Sequence, residues 1–486
     1  MTLGRLGEYR RLVSRERLLL LAGLLINAWR LLAFQSVASS PSPAGPVTPD
    51  AKEALGIAGT LAGPNMAFVI SALGAVLSCA ALMTVTRRRG DLATSTPCYI
   101  VGFSLAGASL TLDALALLVP CPALPAASAL CLGLSDGVVY PLYVLNHTNR
   151  RPDEIIFLIA AEALLGQALC QAMRVFLTGA GSFAVAAALV AVSGVLLRKN
   201  ALSLRDEPQK TQLLRENRRL STIPYRSFCA LIACFAVSRG CFQALTVTTE
   251  GSFSAGLPGM AVAHLLLAFF CLFLKMRSLQ TLLLSAVAVM VLGVAGLPFY
   301  SADIYLASLV HQVGFTAFVV IRWGFVPFFG GEEATRRRAD VVYAFTMCSH
   351  AGKAAGAVAV EVLPIHGEVF YTLPLALLCL VVGVVLAILL VQQQGTERAD
   401  GSADELRESR LDRACYLLKG TYDLTDREAE VMRLVTRGRS SAQICQELLV
   451  SQNTIKTHLK HIYVKTSVHT RDELRELVEQ AADGLP

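Results

Sequence analysis

The chain has 486 residues, of which 54% are hydrophobic and 16% are charged, and its formal net charge is +7. Its mean hydropathy of +0.55 is far above that of an ordinary soluble protein. This composition excludes a purely aqueous globular protein. It predicts an all-α protein whose larger part is a polytopic bundle of membrane helices.

Twelve apolar stretches are long enough to cross the hydrocarbon core of a bilayer, which is about 30 Å thick and needs roughly 20 helical residues. They are residues 18–38, 61–86, 98–119, 124–146, 154–178, 180–197, 225–247, 256–274, 279–298, 301–322, 341–364 and 369–391. These stretches predict a multi-span membrane domain over residues 1–391.

Basic residues mark the loops on one side of this predicted bundle. They occur in the N-terminal arm, at 87–89, at 150–151, in the connector 198–226 and at 336–338, whereas the alternate loops 39–60, 248–255 and 365–368 contain almost none. Because cytoplasmic loops carry the excess of Lys and Arg, we predict a cytoplasmic-membrane protein with both termini in the cytoplasm. The N-terminus also resembles a secretory signal, but the alternation favours a retained first span.

The longest charged connector, 198–226, separates six predicted spans from the other six. This layout resembles that of the major facilitator transporters. That family usually carries a Gly-x-x-x-Asp-Arg-x-Gly-Arg-Arg motif after its second span, where residues 84–91 of this chain read TVTRRRGD. The basic residues are present and the Gly and Asp register is not, which weighs against active transport.

Five ionisable residues fall well inside predicted spans, where a charge costs at least about 2.5 kcal/mol. They are Asp113, Asp136, Glu162, Arg239 and Lys353. They either pair with one another inside the bundle or form a polar site for a small ligand, and both interpretations stay open. We expect Arg30 to extend its charged end to the membrane interface. A lone intramembrane histidine such as His350 is typical of an ordinary hydrogen-bonding partner.

The aqueous segments contain no Gly-rich phosphate loop, no nucleophile elbow and no His/Cys/Glu cluster with metal-ligand spacing. None of the thirteen cysteines forms a Cys-x-x-Cys pair, so they are expected to act as small apolar side chains. We therefore predict a protein that is not an enzyme and uses neither a cofactor nor a metal.

A polar, Gly- and Ser-containing segment begins after Val391 and predicts a linker over residues 392–421, with a short helix near 404–418. The domain 422–486 follows. Three Ser/Thr-x-x-Glu/Gln capping boxes, at 425–428, 440–443 and 470–473, and a further cap at Ser451 punctuate it. They predict four helices, at 426–436, 441–448, 452–466 and 471–481.

The third of these helices has two distinct faces when its side chains are placed at 100° per residue. Ile455, Leu459, Ile462 and Thr466 form a packing face. The opposite face and its flank carry Asn453, Lys456, Thr457, Lys460 and Val464, with Thr454, His458, His461 and Lys465 beside them. The stretch 448–471 has four Lys or Arg residues and no acidic residue. This distribution favours a helix that enters the major groove of DNA.

These residues resemble the helix-turn-helix domain of the LuxR-type transcription regulators. The matching positions are Leu424, Thr425, Arg427, Glu428, Glu430, Val431, Gly438, Ile444, Ser451, Thr454, Lys456, His458, Ile462, Tyr463 and Lys465. The chain departs from the family pattern at Met432, Cys445, Ile455, Thr466 and Ser467, the last of which is often Gly.

The resemblance implies a role for each exposed position of the third helix. Lys456, Thr457 and Lys460 would lie nearest the bases. Ser451, Thr454, His458 and Lys465 would lie nearer the phosphates. The helical faces add Asn453, which can reach base edges, and His461 on the flank. The resemblance also implies a homodimer on DNA, formed through the last helix by Leu474, Leu477 and Val478.

Together, these patterns favour a membrane-embedded one-component transcription regulator. Its membrane domain would respond to an unknown small molecule in the lipid or outside, and its tail would bind double-stranded promoter DNA. The alternative is a transporter of the major facilitator layout with a fused DNA-binding tail. A third hypothesis, in which the tail is only a protein-interaction module, predicts no salt-dependent affinity for DNA.

Overall fold

The computed structural model describes residues 2–39, 64–89, 92, 94–119, 121, 123–177, 179–205, 225–246, 252–273, 279–296, 304–330, 334–362, 410–448 and 450–483. These residues form helices and their connecting turns, and no β-strand occurs among them. The chain divides into two compact units, Met1–Ala387 and Ile388–Pro486.

Helices of the first unit begin near the N-terminus and recur along its whole described length. They are α1 (Thr2–Arg15), α2 (Arg17–Ser39), α3 (Pro64–Arg89), α4 (Thr96–Ala116), α5 (Ala123–Leu145), α6 (Pro152–Phe176), α7 (Ala180–Arg205), α8 (Tyr225–Thr246), α9 (Ser252–Phe273), α10 (Leu279–Gly296), α11 (Ile304–Ile321), α12 (Val326–Gly330) and α13 (Ala334–Val362). A 3-10 turn, Arg322–Phe325, joins α11 to α12.

The predicted spans coincide with long helices wherever the structure describes them. The first eleven correspond to α2 through α11 and α13, and the twelfth, 369–391, lies outside the described residues. Among the described residues, seven helical stretches are long and apolar enough to cross a membrane, and three more are apolar but shorter. The all-helical membrane fold is confirmed. The number twelve stays a prediction.

Helix pairs of the first unit pack closely within each half of the sequence and across it. In the first half α2 packs on α6 and α7, and α5 packs on α3 and α4; in the second half α8 packs on α13, and α11 on α9 and α10. The pairs α3 with α13 and α6 with α9 join the halves. A Cβ at Gly133 would lie 2.0 Å from the Ser71 carbonyl oxygen, and one at Gly240 would lie 2.1 Å from that of Lys353. Glycine is therefore required where these backbones meet.

The N-terminal arm, expected only as a basic segment, is the helix α1. Polar contacts join it to the start of α6. The Tyr9 hydroxyl donates to Asp153 Oδ2 at 3.0 Å, and the Arg151 guanidinium donates to Glu8 Oε1 at 2.6 Å. The arm is thus part of the folded unit.

The second unit consists of α14 (residues 410–421), α15 (Asp426–Thr436), α16 (Ser441–Leu448), α17 (Gln452–Thr466) and α18 (Arg471–Asp483). Three of the four helices predicted here have the predicted bounds, and α18 extends two residues further. Helix α14 lies within the segment predicted as a linker. Its residues Ala414, Cys415 and Leu418 are buried in the core of this unit, so the folded unit begins upstream of residue 422.

Candidate nucleic-acid interface

Helix α17 is held by the apolar core of the C-terminal unit. Ile455 and Ile462 on α17 are completely buried, and Leu459 packs against the same core. The other helices contribute Val431, Val435 and Ile444, which are also completely buried. The packing face predicted for the third helix is therefore confirmed, and the opposite face is left to solvent.

Side-chain caps fix where the helices of this unit begin. Thr425 and Glu428 form the reciprocal capping box at the start of α15, and Ser440 and Gln443 form the one at α16, with the Ser440 amide donating to Gln443 Oε1 at 2.8 Å. The Thr454 amide donates to Ser451 Oγ at 3.2 Å at the start of α17. Since each cap satisfies amides that lack a helical partner, the chain direction into α17 is set locally.

Glu428 joins α15 to the C-terminal half of α17. Its side chain is 3% exposed. Lys465 Nζ donates to Glu428 Oε2 at 2.8 Å and to the Asp423 carbonyl oxygen at 2.8 Å, and His461 Nδ1 lies 3.5 Å from Glu428 Oε1. Burial alone raises the pKa of the Glu428 carboxyl, but the hydrogen bonds from Lys465 and from the Thr425 backbone outweigh it and lower that pKa to about 2.

The solvent-facing surface of α17 carries the residues that the sequence singled out for DNA. Most of these side chains are exposed: Ser451, Asn453, Lys456, Thr457, Lys460, His461 and Lys465. Thr454 and His458 are half-buried. Lys456 and Lys460 have no ion pair within the described residues, so their charges are available to an external anion. The Lys465 ammonium, by contrast, is already shared with Glu428.

A turn with left-handed backbone ends α17. Ser467 has φ 58°, and the Val468 amide donates to the Tyr463 carbonyl oxygen at 3.2 Å. A non-glycine residue rarely adopts this conformation. After the turn, the Arg475 guanidinium of α18 donates to the Val435 carbonyl oxygen at 3.1 Å and fixes α18 against α15.

The apolar strip of α18 lies inside the domain rather than at a free surface. The sequence predicts a dimer interface at Leu474, Leu477 and Val478, but Leu474 and Val478 are completely buried in the domain core and Leu477 is partly buried against it. A second copy cannot reach the two buried side chains. The apolar spacing that suggests an external strip instead reflects packing of α18 on the core formed with α15 and α17.

Three of the five predicted intramembrane residues lie close together. Asp136 accepts hydrogen bonds from Arg30 Nε at 2.5 Å and Arg30 Nη2 at 2.9 Å, and its other close neighbour is His350 Nε2 at 3.3 Å. Lys353 lies three residues after His350 on α13, and a Cβ at Gly240, next to Arg239, would meet the Lys353 carbonyl oxygen. The sequence analysis predicts that Arg30 extends its charged end to the membrane interface. This prediction is wrong, because Arg30 is paired with Asp136 inside the bundle.

Glu162 belongs to a separate buried cluster. The Tyr143 hydroxyl donates to Glu162 Oε2 at 2.5 Å, and His147 Nε2 lies 3.1 Å from both carboxylate oxygens. Asp113 is also buried, on α4.

The sequence pattern does not single out three of the buried polar residues, Tyr143, His147 and Arg322. Arg322 stands in an apolar segment, and only its position at the end of the predicted span 301–322 could have suggested a buried charge.

The first unit has the fold of the major facilitator transporters. The proton:xylose symporter XylE of that superfamily matches with a TM-score of 0.53 at 11% sequence identity, over 76% of this chain and 93% of the symporter. At this identity the likeness shows the fold alone. The larger part of the protein is thus a helical membrane unit of transporter-like fold.

The C-terminal unit contains a LuxR-type helix-turn-helix domain. Residues 423–478 match the family described as bacterial regulatory proteins, luxR family. An HTH-type transcriptional regulator of Mycobacterium tuberculosis is 41% identical over 68 residues, which are 14% of this chain and 8% of that protein. The HTH-type transcriptional regulator MalT of Vibrio cholerae is 42% identical over 60 residues, 12% of this chain and 7% of its own. The chain thus spans less than a tenth of the length of these relatives.

Proposed function

We propose that this protein is a membrane-embedded one-component transcription regulator, in which the membrane unit senses a small molecule and the tail binds promoter DNA. One observation carries the proposal. A LuxR-type domain presents Lys456, Thr457 and Lys460 on an exposed helix face, and the same chain has a transporter-like membrane unit. The membrane unit and the DNA-binding domain would then act within one polypeptide, without a separate signalling protein between them.

The proposed DNA contacts follow from the faces of α17. Lys456, Thr457 and Lys460 would reach base edges in the major groove, since they project from the exposed front of the helix. Asn453 shares this face and would also reach a base edge. Ser451, Thr454, His458 and His461 would lie along the phosphates. Lys465 would have a double role, because it orients α17 through Glu428 and adds positive charge at the flank.

Two tails would bind neighbouring half-sites as a homodimer, in keeping with the geometry of helix-turn-helix proteins. The exposed residues of α18 include Asp472, Glu473, Glu476 and Glu479. These acidic side chains would repel one another in a symmetric pairing of two α18 helices. We therefore favour pairing imposed by the half-sites of the DNA and by association of the membrane units.

The proposal is tested by DNA binding of a fragment comprising residues 388–486, which is suitable because this unit has a core of its own. Sites bound by the full-length protein are first mapped on the chromosome, and fragment affinity for them is then measured against salt concentration. We expect affinity to fall steeply with salt, and Lys456→Ala with Lys460→Ala to weaken binding at least tenfold. Lys419→Ala is the matched control, since Lys419 belongs to α14 and is paired with Asp426.

Binding that does not depend on salt, or an equal loss in the Lys419→Ala control, would remove the proposal. A second requirement concerns location, because promoter DNA is reachable only from the cytoplasm. A reporter fused after Pro486 should be active inside the cell. A reporter found outside would leave the tail without access to genes.

A transporter with a DNA-binding tail is the second candidate function. The transporter-like fold and the charged residues Asp136, Arg239 and Lys353 inside the bundle favour it. Substrate flux into vesicles that is lost on neutralising Lys353 would support it. A protein that binds a ligand without flux would be a sensor alone.

A further inference from the structure

Four cationic side chains from both halves of the membrane unit lie close together. Arg30 lies 4.3 Å over the ring of Tyr140, and Trp323, next to Arg322, donates to the Tyr140 hydroxyl at 3.0 Å. Lys353 lies on α13, three residues after His350, whose Nε2 is 3.3 Å from Asp136, and the Lys353 backbone packs on Gly240, next to Arg239. Lys353 interacts electrostatically with all three arginines and with Asp136. Arg30 is on α2, Asp136 on α5, Arg239 on α8, and Arg322 on the 3-10 turn after α11. We name the four cations the cationic cluster.

The positive charge of the cationic cluster is not balanced among the described residues. Asp136 is the one carboxylate that an ion pair joins to it in this part of the chain, and both oxygens of Asp136 are engaged by Arg30. Arg239, Arg322 and Lys353 have no ion pair with a carboxylate among the described residues. The apolar stretch 369–391 contains no acidic residue, so it cannot supply the missing charge.

Each arginine of the cluster lies over an aromatic ring. The distances from guanidinium carbon to ring centroid are 4.3 Å for Arg30 and Tyr140, 4.5 Å for Arg322 and Trp323, and 5.5 Å for Arg239 and Phe315. A ring face stabilises a guanidinium from above but offers no acceptor in its plane. Arg30 already donates from Nε and Nη2 to Asp136, and Arg322 has one hydrogen bond to Tyr140. The N–H groups that remain for the oxygen atoms of a ligand are therefore those of Arg239 and the Nε of Arg322, as in arginine sites that bind carboxylates and phosphates.

Arg322 is the arginine of the cluster whose need for a further hydrogen-bond acceptor is clearest. Its side chain is 3% exposed, and its Nε has no hydrogen-bond partner among the described residues. Buried polar groups are satisfied in the great majority of cases. Arg30, Arg239 and Lys353 are half-buried, so part of each side chain is accessible to a small molecule.

We propose that the cationic cluster binds a small organic anion, with a carboxylate or phosphate group between the cations and an apolar body against the aromatic rings. The inference rests on the proposed function, since it names the chemical class of the molecule that the membrane unit senses. The oxyanion offsets three unpaired charges contributed by α8, α13 and the 3-10 turn. It therefore holds these elements in one arrangement.

The full-length protein carries its own reporter for this site. The chain has two tryptophans, Trp29 and Trp323, and Trp323 lies beneath Arg322. In a Trp29→Phe protein in phosphatidylcholine nanodiscs, Trp323 is the single emitter. We expect benzoate and phenyl phosphate to change its emission saturably, and benzamide, a neutral molecule of similar shape, to leave it unchanged. Equal responses to benzoate and benzamide, or no saturable response to either anion, would overturn the proposal.

Substitutions in the cluster then test which side chains hold the anion. Lys353→Met and Arg239→Met should each weaken benzoate binding at least tenfold, whereas Lys353→Arg should retain it. Arg174→Gln removes a cation from an exposed position on α6 and should have no effect. If the methionine variants fold as monodisperse nanodisc particles and bind benzoate as tightly as the parent, the proposal is wrong. Should Lys353→Met not fold, Arg239→Met and Lys353→Arg still decide it.

A comparison of two lipids identifies the source of the anion. A measurement on fragment 388–486 separates this proposal from the proposed regulatory function. In phosphatidylglycerol nanodiscs, a lipid headgroup in the site would change Trp323 emission before any probe is added and would compete with phenyl phosphate; a water-soluble ligand would bind equally in both lipids. Either result supports an anion site. Fragment 388–486 binds DNA without the membrane unit, so loss of DNA binding refutes the regulator alone, and loss of the anion response refutes this site alone.

Discussion

Replacing Glu428 by Gln should destabilise the C-terminal unit by about 2 kcal/mol. The carboxylate is 3% exposed and accepts charged hydrogen bonds from Lys465 at 2.8 Å and from the Thr425 amide at 2.9 Å. Breaking a fully buried ion pair costs about 3 to 5 kcal/mol. The Lys465 side chain is 34% exposed, so its charge is partly solvated, and glutamine keeps an acceptor for the Thr425 amide. Both effects reduce the expected loss of unfolding free energy from that range to about 2 kcal/mol.

Urea unfolding of fragment 388–486, followed by circular dichroism, measures this cost, and the midpoint of thermal unfolding should fall by roughly 10 °C. Glu430→Gln is the matched control. The Arg427–Glu430 pair has a distance of 2.6 Å, but its side chains are 39% and 36% exposed, so its loss should cost less than about 0.5 kcal/mol. Equal costs for the two variants would show that Glu428 does not anchor α17.

Three other predictions follow from the same structure. Because the pKa of Glu428 is about 2 in the folded unit and 4.5 as the ordinary value, its contribution is complete above about pH 4.5 and is lost as the pH falls towards 2; the difference in unfolding free energy between wild type and Glu428→Gln should shrink over that window. Ser467→Gly should raise the unfolding free energy by about 0.5 to 1 kcal/mol, since Ser467 has a φ of 58°, and no gain in urea stability would contradict the assignment of that turn. Asp136→Asn should lower the thermal midpoint of the full-length protein by several degrees because it leaves Arg30 unpaired in the bundle, and Arg30→Met combined with Asp136→Leu should recover part of the loss.

Helices α15 to α18 could be predicted almost to the residue because their signals are local. A capping box needs a hydroxyl and a carboxamide or carboxylate three residues apart, and Thr425 with Glu428 supplies both within one helical turn. The faces of α17 follow in the same way from helical periodicity. Ile455 and Ile462 are buried, and Lys456 and Lys460 are exposed.

What covers an apolar face is not contained in its periodicity. Leu474 and Val478 have the spacing of a helical stripe, which is the same whether the stripe packs on its own domain or on a partner. The structure covers both with the domain core. The choice depends on how α15 and α17 fold back on α18, and this is a property of the whole unit.

Charge pairs inside the bundle are beyond local reasoning for a similar reason. Arg30 and Asp136 are 106 positions apart in the chain, and His350 comes from the other half. Hydropathy identifies Asp136, Arg239 and Lys353 as costly at membrane depth, but it cannot say which of them meet. Arg30 also has the length to reach an interface, so only the packing of α2 against its neighbours decides where its charge lies.

The complete core of the C-terminal unit constrains how a signal in the membrane could act on DNA. Val431, Ile455 and Leu474 are completely buried in a core made of residues from that unit. A signal that unfolded the C-terminal unit would have to overcome a domain stability of about 5 kcal/mol or more. The free energy of coupling between two sites in a protein is typically about 1 to 3 kcal/mol. A change in the pairing of two folded tails would not have to disrupt the domain core. A ligand that draws α8, α13 and the 3-10 turn into one arrangement would therefore control binding through the pairing of folded tails.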